Sequence, residues 1–122
     1  MLLHLDFTID TPIYQQIRNE ILRRIAAGTL PPGALLPPIR TLAEDLGINM
    51  MTVSKAYSLL KQEGHIQTDR RAGTRVCTHT QTALPLELRQ KIELAVSEAK
   101  VSGIELEEIL SLCRTLYEGG AK

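Results

Sequence analysis

The sequence predicts a mainly α fold carrying one small β-hairpin, and three observations lead there. Isoleucine recurs every fourth residue at Ile13, Ile17, Ile21 and Ile25, the spacing of one helix face. Proline and glycine then punctuate the chain as helix starts and stops. After Gly64 the helical pattern gives way to β-branched runs on either side of a basic turn. The chain has 122 residues, 43% hydrophobic and 23% charged, which fits one small domain, or one domain with a short appendage. With one Phe, three Tyr and no Trp, the core must be built from aliphatic side chains. The same scarcity of rings argues against a stacking platform for single-stranded nucleic acid.

The elements follow in order. Asp10-Thr11-Pro12 is a polar cap with Pro set at the first helical position, and Gly28 is the natural stop of the first helix. Leu30-Pro31-Pro32-Gly33 is a turn. Pro37-Pro38 leads into a shorter helix with Ile39, Leu42, Ala43 and Leu46 inward, ended by Gly47. Asn49 caps a third helix to about Glu63, whose apolar positions are Val53, Ala56, Leu59 and Leu60. Ile66-Gln67-Thr68 and Thr74-Arg75-Val76-Cys77 are strands, joined by Asp69-Arg70-Arg71-Ala72-Gly73. Thr78 to Ala83 reads as a linker. Pro85 opens a fourth helix to about Val101, with Leu88, Ile92, Ala95 and Ala99 in register. Ser102-Gly103 breaks it, and a fifth runs from about Leu106 to Tyr117. The expected division is residues 1–78 and 79–122.

Helix, short helix, glycine turn, helix and basic hairpin is the layout of a winged helix-turn-helix. Such a third helix fits the major groove of duplex DNA with its N-terminal residues toward base edges. The hairpin tip can set arginines against the flanking backbone or minor groove. A formal net charge of zero excludes a strongly basic protein that coats nucleic acid, but not a local basic face. Residues 1–78 carry a net +2 and residues 79–122 a net −2. Within 48–76, Lys55, Lys61, Arg70, Arg71 and Arg75 face only Glu63 and Asp69. Taken alone that is an ordinary solvated face; with the element order it points to DNA.

The order and spacing of several motifs resemble the GntR family of bacterial transcription regulators. They are Pro12-Ile13-Tyr14-Gln15-Gln16-Ile17, Gly28-Thr29-Leu30-Pro31-Pro32-Gly33, Leu36-Pro37-Pro38-Ile39-Arg40-Thr41-Leu42-Ala43 and Leu46-Gly47-Ile48-Asn49-Met50-Met51-Thr52-Val53-Ser54-Lys55-Ala56-Tyr57. Leu60, Glu63-Gly64 and Gly73-Thr74 complete the match over about residues 10–77. The two-helix tail resembles the short-tailed YtrA-like branch, and the chain has no room for the large effector-binding or aminotransferase-like domains of other branches. The resemblance implies DNA contact by Arg40 at the start of the second helix. It implies the same for Asn49, Met50, Met51, Thr52, Ser54 and Lys55 on the recognition helix, and for Arg70, Arg71, Gly73 and Thr74 on the wing. Tyr57 matches a ring that packs rather than reads bases. It further implies control of an ABC-type transporter operon, often with the regulator's own gene.

Three departures stand out. Met50 stands where relatives commonly carry a polar, proline or basic residue, and Met51 where they often carry a polar one; methionine cannot make the bidentate bond that arginine makes to guanine. The pair either presses against thymine methyls or packs inward. Ala72 replaces a usual glycine at the wing tip, leaving Gly73 as the permissive position. At the fifth helix, Glu105 stands where relatives often have a Ser or Thr cap.

The remaining candidates read blandly. His4, His65 and His79 lie on different elements, and no His/Cys/Asp/Glu cluster has ligand spacing, so no metal or cofactor is expected. Cys77 and Cys113 cannot form a disulfide scaffold or zinc module and read as small apolar residues. Glu105, Glu107 and Glu108 suit a helix start. With no nucleophile, phosphate loop or His partner beside them, no enzyme is expected. No apolar run approaches the roughly 20 residues of a membrane helix, and the first residues lack a signal-peptide pattern. The expected setting is the reducing cytoplasm, without a membrane partner.

The tail carries more apolar surface than two helices can bury. It either packs back on the first domain or forms a homodimer interface through Leu88, Ile92, Leu106, Ile109, Leu110, Cys113 and Leu116, and its extent favours the dimer. The expectation is therefore a winged helix-turn-helix with a two-helix C-terminal dimerisation tail. It would bind double-stranded DNA at a pseudo-palindromic operator as a homodimer, most simply as a repressor. A small-molecule effector is left open. The alternative is a winged-helix protein-interaction module that does not bind DNA, against which Arg40, Lys55 and Arg70-Arg71 stand together.

Overall fold

A computed structural model describes residues 1–78 and 83–119. The expected linker at 78–83 and the end of the chain at Gly119-Gly120 therefore lie partly outside the described residues. The chain divides into two compact units, Met1–His79 and Thr80–Lys122. The first contains α1 (Ile13–Ala26), α2 (Ile39–Leu46), α3 (Met50–Gln62), β1 (Ile66–Asp69) and β2 (Gly73–Val76). The second contains α4 (Leu86–Val101) and α5 (Leu106–Tyr117). The mainly α winged helix-turn-helix class is as expected.

The core of the first unit is the set of inward stripes. Ile17 and Ile21 of α1, Leu42 and Ala43 of α2, and Val53, Ala56, Tyr57 and Leu60 of α3 meet in one cluster. Ile66 of β1 closes it from the hairpin side. Removing this much aliphatic surface from water is the main favourable term for a domain of this size. One interaction on the rim is directional. Arg18 of α1 grips Glu63, just past α3, with Nε donating to Oε1 at 2.9 Å and Nη2 to Oε2 at 3.1 Å. The bidentate geometry fixes the crossing of α1 over the end of α3.

The start of α1 differs from expectation. Pro12 is not the first helical residue but the cap position, with ψ of 147°, and no side chain caps the helix. Its carbonyl accepts the first helical bond, from Gln16 N at 3.1 Å. The buried Gln16 side chain then organises the segment before the helix. Its Nε2 donates to the carbonyls of Asp6 at 2.8 Å and Thr11 at 2.9 Å, and its Oε1 accepts from Asp6 N at 2.8 Å. These bonds replace water around an amide that burial would otherwise penalise. Nearby, hydroxyl and backbone bonds from Thr8 hold the Asp6 carboxyl below its ordinary pKa. This leading segment also drops Leu3 into the core, and Arg24 Nη2 donates to the Leu2 carbonyl at 2.7 Å.

The turn between α2 and α3 depends on Gly47, whose φ of +66° is the left-handed conformation that glycine adopts without penalty. Ile48 N then reaches back to the Ala43 carbonyl at 3.0 Å. Asn49 follows as a true cap, its Oδ1 accepting from Met51 N at 2.6 Å. Two residues thus stop one helix, and a third starts the next in a new direction.

The hairpin is antiparallel, pairing Ile66 with Val76, Gln67 with Arg75, Thr68 with Thr74 and Asp69 with Gly73. A third segment joins it. Gly33 N donates to the Val76 carbonyl at 2.9 Å, Val76 N to the Ala34 carbonyl at 2.9 Å, and Leu36 N to the Thr74 carbonyl at 2.8 Å. The chain entering α2 therefore covers the outer edge of β2, an arrangement the prolines at 31, 32 and 37 concealed in the sequence.

In the second unit, neither helix has a buried residue. α5 begins at Leu106 after Glu105, which makes no side-chain cap; Glu107 and Glu108 occupy its first turn instead. No helix among the described residues is long and apolar enough to cross a membrane.

Candidate nucleic-acid interface

The exposed strip of α3 follows from its buried one. Val53, Ala56, Tyr57 and Leu60 face the core, so Met51, Lys55 and Ser58 lie on the opposite side, and all three are exposed. Met51 is 78% exposed and Met50 46%, so the inward packing that methionine allowed is not adopted. Two thioethers are presented to solvent at the helix start, where side chains enter a major groove. Thr52 and Ser54 are half-buried beside them. Asn49 is exposed, and its side-chain oxygen accepts the cap bond, so its amide nitrogen is the donor not used by the cap.

The flanks of this strip are defined by two rings. Tyr57 is buried, and its hydroxyl donates to the Pro37 carbonyl at 2.7 Å, tying one side of α3 to the entry of α2. Tyr57 is thus a packing residue, as expected of it. On the other side Lys55 Nζ lies 4.1 Å from the centroid of the Tyr14 ring on α1. Ile13, Tyr14, Met51, Thr52, Ser54 and Lys55 line an open depression of about 540 Å³ there. The role of Tyr14 was not derivable from pattern, because it pairs two elements distant in sequence.

Arg40 stands exposed as the second residue of α2. Arg70 and Arg71 are exposed in the hairpin turn, where Arg71 N donates to Asp69 Oδ1 at 2.8 Å and shapes the tip. Among the described residues, no carboxylate pairs with Arg40, Arg70 or Arg71 within 4.0 Å. Gly73 takes a φ of +88°, the permissive position expected after Ala72. Thr74 Oγ1 sits 3.2 Å from Thr68 Oγ1 across the strands. Arg75 differs from the other basic residues of the face. Its Nη1 donates to the Gly33 carbonyl at 3.0 Å, so it braces the wing against the segment entering α2.

In the tail, Leu88, Ile92, Leu106, Cys113 and Leu116 are exposed, while Ile109 and Leu110 are half-buried. Cys113, read from sequence as a small buried apolar residue, is exposed within a single chain; Cys77 is half-buried. Among the described residues, no group of three or more His, Cys, Asp or Glu is placed to hold a metal.

A capped helix presenting its first turn, a preceding helix with a free arginine, and a basic hairpin braced beside them define a winged helix-turn-helix DNA-binding domain. Residues 13–76 match the model of the gntR family of bacterial regulatory proteins, and the chain belongs to that family. It is 33% identical over 112 residues to the transcriptional repressor YtrA of Bacillus subtilis, covering 88% of this chain and 86% of that protein. A GntR-family transcription factor, YtrA from Sulfolobus acidocaldarius, matches with a TM-score of 0.69 and 36% identity, over 83% of this chain and 99% of that one. A Listeria monocytogenes structure described as a transcriptional antiterminator matches with a TM-score of 0.79 and 29% identity, over 93% and 87%. The DNA-binding domain of AraR, solved on its operator, shares the fold with a TM-score of 0.53 and 26% identity, over 63% and 94%. This chain is thus a transcription regulator of the GntR family with a DNA-binding domain, and its curated relatives are named as regulators, not as enzymes.

Proposed function

We propose that this protein represses transcription by binding a pseudo-palindromic operator as a homodimer. The observation that carries the DNA half of this reading is a set of cations without a carboxylate partner among the described residues: Arg40, Lys55, Arg70 and Arg71. The apolar, unburied faces of α4 and α5 support the dimer half, since surfaces of that kind are rarely left to water. Likeness to YtrA of Bacillus subtilis, named as a repressor, supports repression. Resemblance to that branch extends the proposal to an ABC-type transporter operon and the regulator's own gene. Base reading falls to Asn49, Met50, Met51, Thr52 and Ser54, with thymine methyls the natural partners of the two methionines.

The test is a binding titration on the operator selected from the protein's own genomic DNA. Arg40→Ala and Thr52→Ala are each expected to weaken binding by about 1–3 kcal/mol. Unchanged affinity for a folded Arg40→Ala protein would remove α2 from the interface.

The wing is expected to act through phosphate or minor-groove electrostatics rather than base reading. Replacing Arg70 and Arg71 together with Ala should lower affinity on operator and random DNA alike. The slope of log K against log salt should become shallower by up to about two, one per lost phosphate contact. An unaltered slope would mean that these arginines stay in solvent.

A further inference from the structure

We infer that Tyr14 is a positioning residue that holds Lys55 as a clamp on one phosphate strand of the bound duplex, opposite the strand held by Arg40. The inference rests on the DNA-binding reading of α3 and adds a site and a division of labour to it.

The geometry of α3 supplies the argument. Its outward strip has two flanks, one turned toward the entry of α2 through the Tyr57–Pro37 bond, the other toward α1 through the Lys55–Tyr14 contact. A helix lying in a major groove about 12 Å wide has a phosphate backbone along each side. Arg40, the second residue of α2, follows directly on the Pro37-Pro38 entry that Tyr57 ties to the first flank. On the second, the depression between α1 and α3 is lined by Lys55, whose ammonium lies over the Tyr14 ring, with Thr52 and Ser54 also on its wall. No carboxylate lines it, so nothing there repels an anion or competes for the lysine. Ile13 and Met51 give it an apolar wall suited to a deoxyribose edge.

A solvated lysine roams over many rotamers, and ordering it on binding costs conformational entropy. The Tyr14 ring face attracts the ammonium and confines it over the depression before DNA arrives. Tyr14 therefore adds to affinity only through Lys55, which makes the two residues energetically dependent on each other.

The test uses the full chain, a fluorescein-labelled duplex of mixed sequence and a KCl series. Lys55→Met should make the salt slope shallower by about 0.9, the value for one phosphate contact on B-DNA. Tyr14→Phe keeps the ring and should bind within about twofold of wild type, whereas Tyr14→Leu removes the ring face and should weaken binding roughly two- to fivefold. Adding Tyr14→Leu to Lys55→Met should cost nothing further. Full additivity, or a Tyr14→Leu protein that binds like wild type, would overturn the inference. If Tyr14→Leu perturbs folding, proton NMR of the wild type and Tyr14→Phe gives an independent reading. Upfield-shifted Lys55 ε-methylene resonances are expected in both, and unshifted ones overturn the stacking. Arg40→Ala run alongside separates the failures. If it weakens binding while the Tyr14 and Lys55 variants do not, only the clamp is wrong; if none of them weakens binding, the α3 face is not the DNA site.

Discussion

A chain ending at Ala83 is expected to fold, to be monomeric, and to lose most of its selectivity for a palindromic site. The first unit has its own closed core, built from Leu3 through Ile66, so folding does not require the tail. One recognition helix reads only a few base pairs. Two of them on a symmetric protein read two half-sites about 34 Å apart, one turn of DNA or a multiple. Once the first half-site is occupied, the second event is intramolecular, and the gain in avidity runs to about 10²–10⁴-fold. That gain is what truncation removes. The full chain and the truncation should differ in light-scattering mass as dimer and monomer at micromolar concentration. The truncated protein should bind single and paired half-sites with nearly equal, weak affinity. A monomeric full chain, or a truncation that still dimerises, would show that α4 and α5 serve another purpose.

Replacing Tyr57 with Ala should cost the DNA-binding unit a large share of its stability. The ring is 1% exposed and lies among Leu42, Val53 and Leu60 in the core cluster. Truncation of a buried aromatic side chain costs about 3–5 kcal/mol, a large share of the roughly 5–15 kcal/mol that holds a domain together. Tyr57→Phe isolates the hydroxyl: it strips the Pro37 carbonyl of its donor and should cost about 1–2 kcal/mol in urea unfolding. The same hydroxyl makes the fold sensitive to alkali. Burial raises the phenol's pKa well above its ordinary value of 10.0, so the neutral form is kept in the folded state. Its contribution is complete below pH 10 and is lost as pH rises past the point where the unfolded phenol ionises. Tyr57→Phe should therefore flatten the decline of stability above pH 10. An equal decline in both proteins would assign it to other groups.

The parts of this structure legible in the sequence are those specified by local chemistry. Asn49, Gly47 and the isoleucine stripe of α1 each act within one or two turns of backbone, and α2, α3 and α5 run within a residue or so of the expected ranges. What escaped notice acts across the chain. The segment carrying Leu3 has no periodicity, and its place is set by a single buried amide, Gln16, which a sequence reading sees only as a polar residue in a helix. Gly33–Leu36 pairs with β2 although proline-rich surroundings argue against a strand. Charge counting groups Arg75 with the other basic residues of α3 and the wing, but one of its donors is spent on Gly33. Met50 and Met51 had two physical readings, and the capped first turn of α3 decides for exposure because its buried face is already filled by Val53, Ala56 and Tyr57.

The pairing of Gly33–Leu36 with β2 bears on binding kinetics. A hairpin wing attached only at its ends would swing on its own timescale and would have to be captured by the DNA after first encounter. Here the wing is stitched to the segment leading into α2, by three backbone bonds and by the Arg75 side chain. The backbone that carries its arginines is therefore braced to the backbone that carries Arg40, and on the proposed DNA-binding reading the two meet the duplex as one calliper whose side-chain tips alone remain to be ordered. Its backbone ordering entropy is lost at folding rather than at each encounter with DNA, which favours fast association. Adaptation is left to the nucleic acid: a site whose groove spacing does not match the calliper must bend or twist to fit. Base steps outside the reach of α3 would then contribute to selection through their stiffness alone.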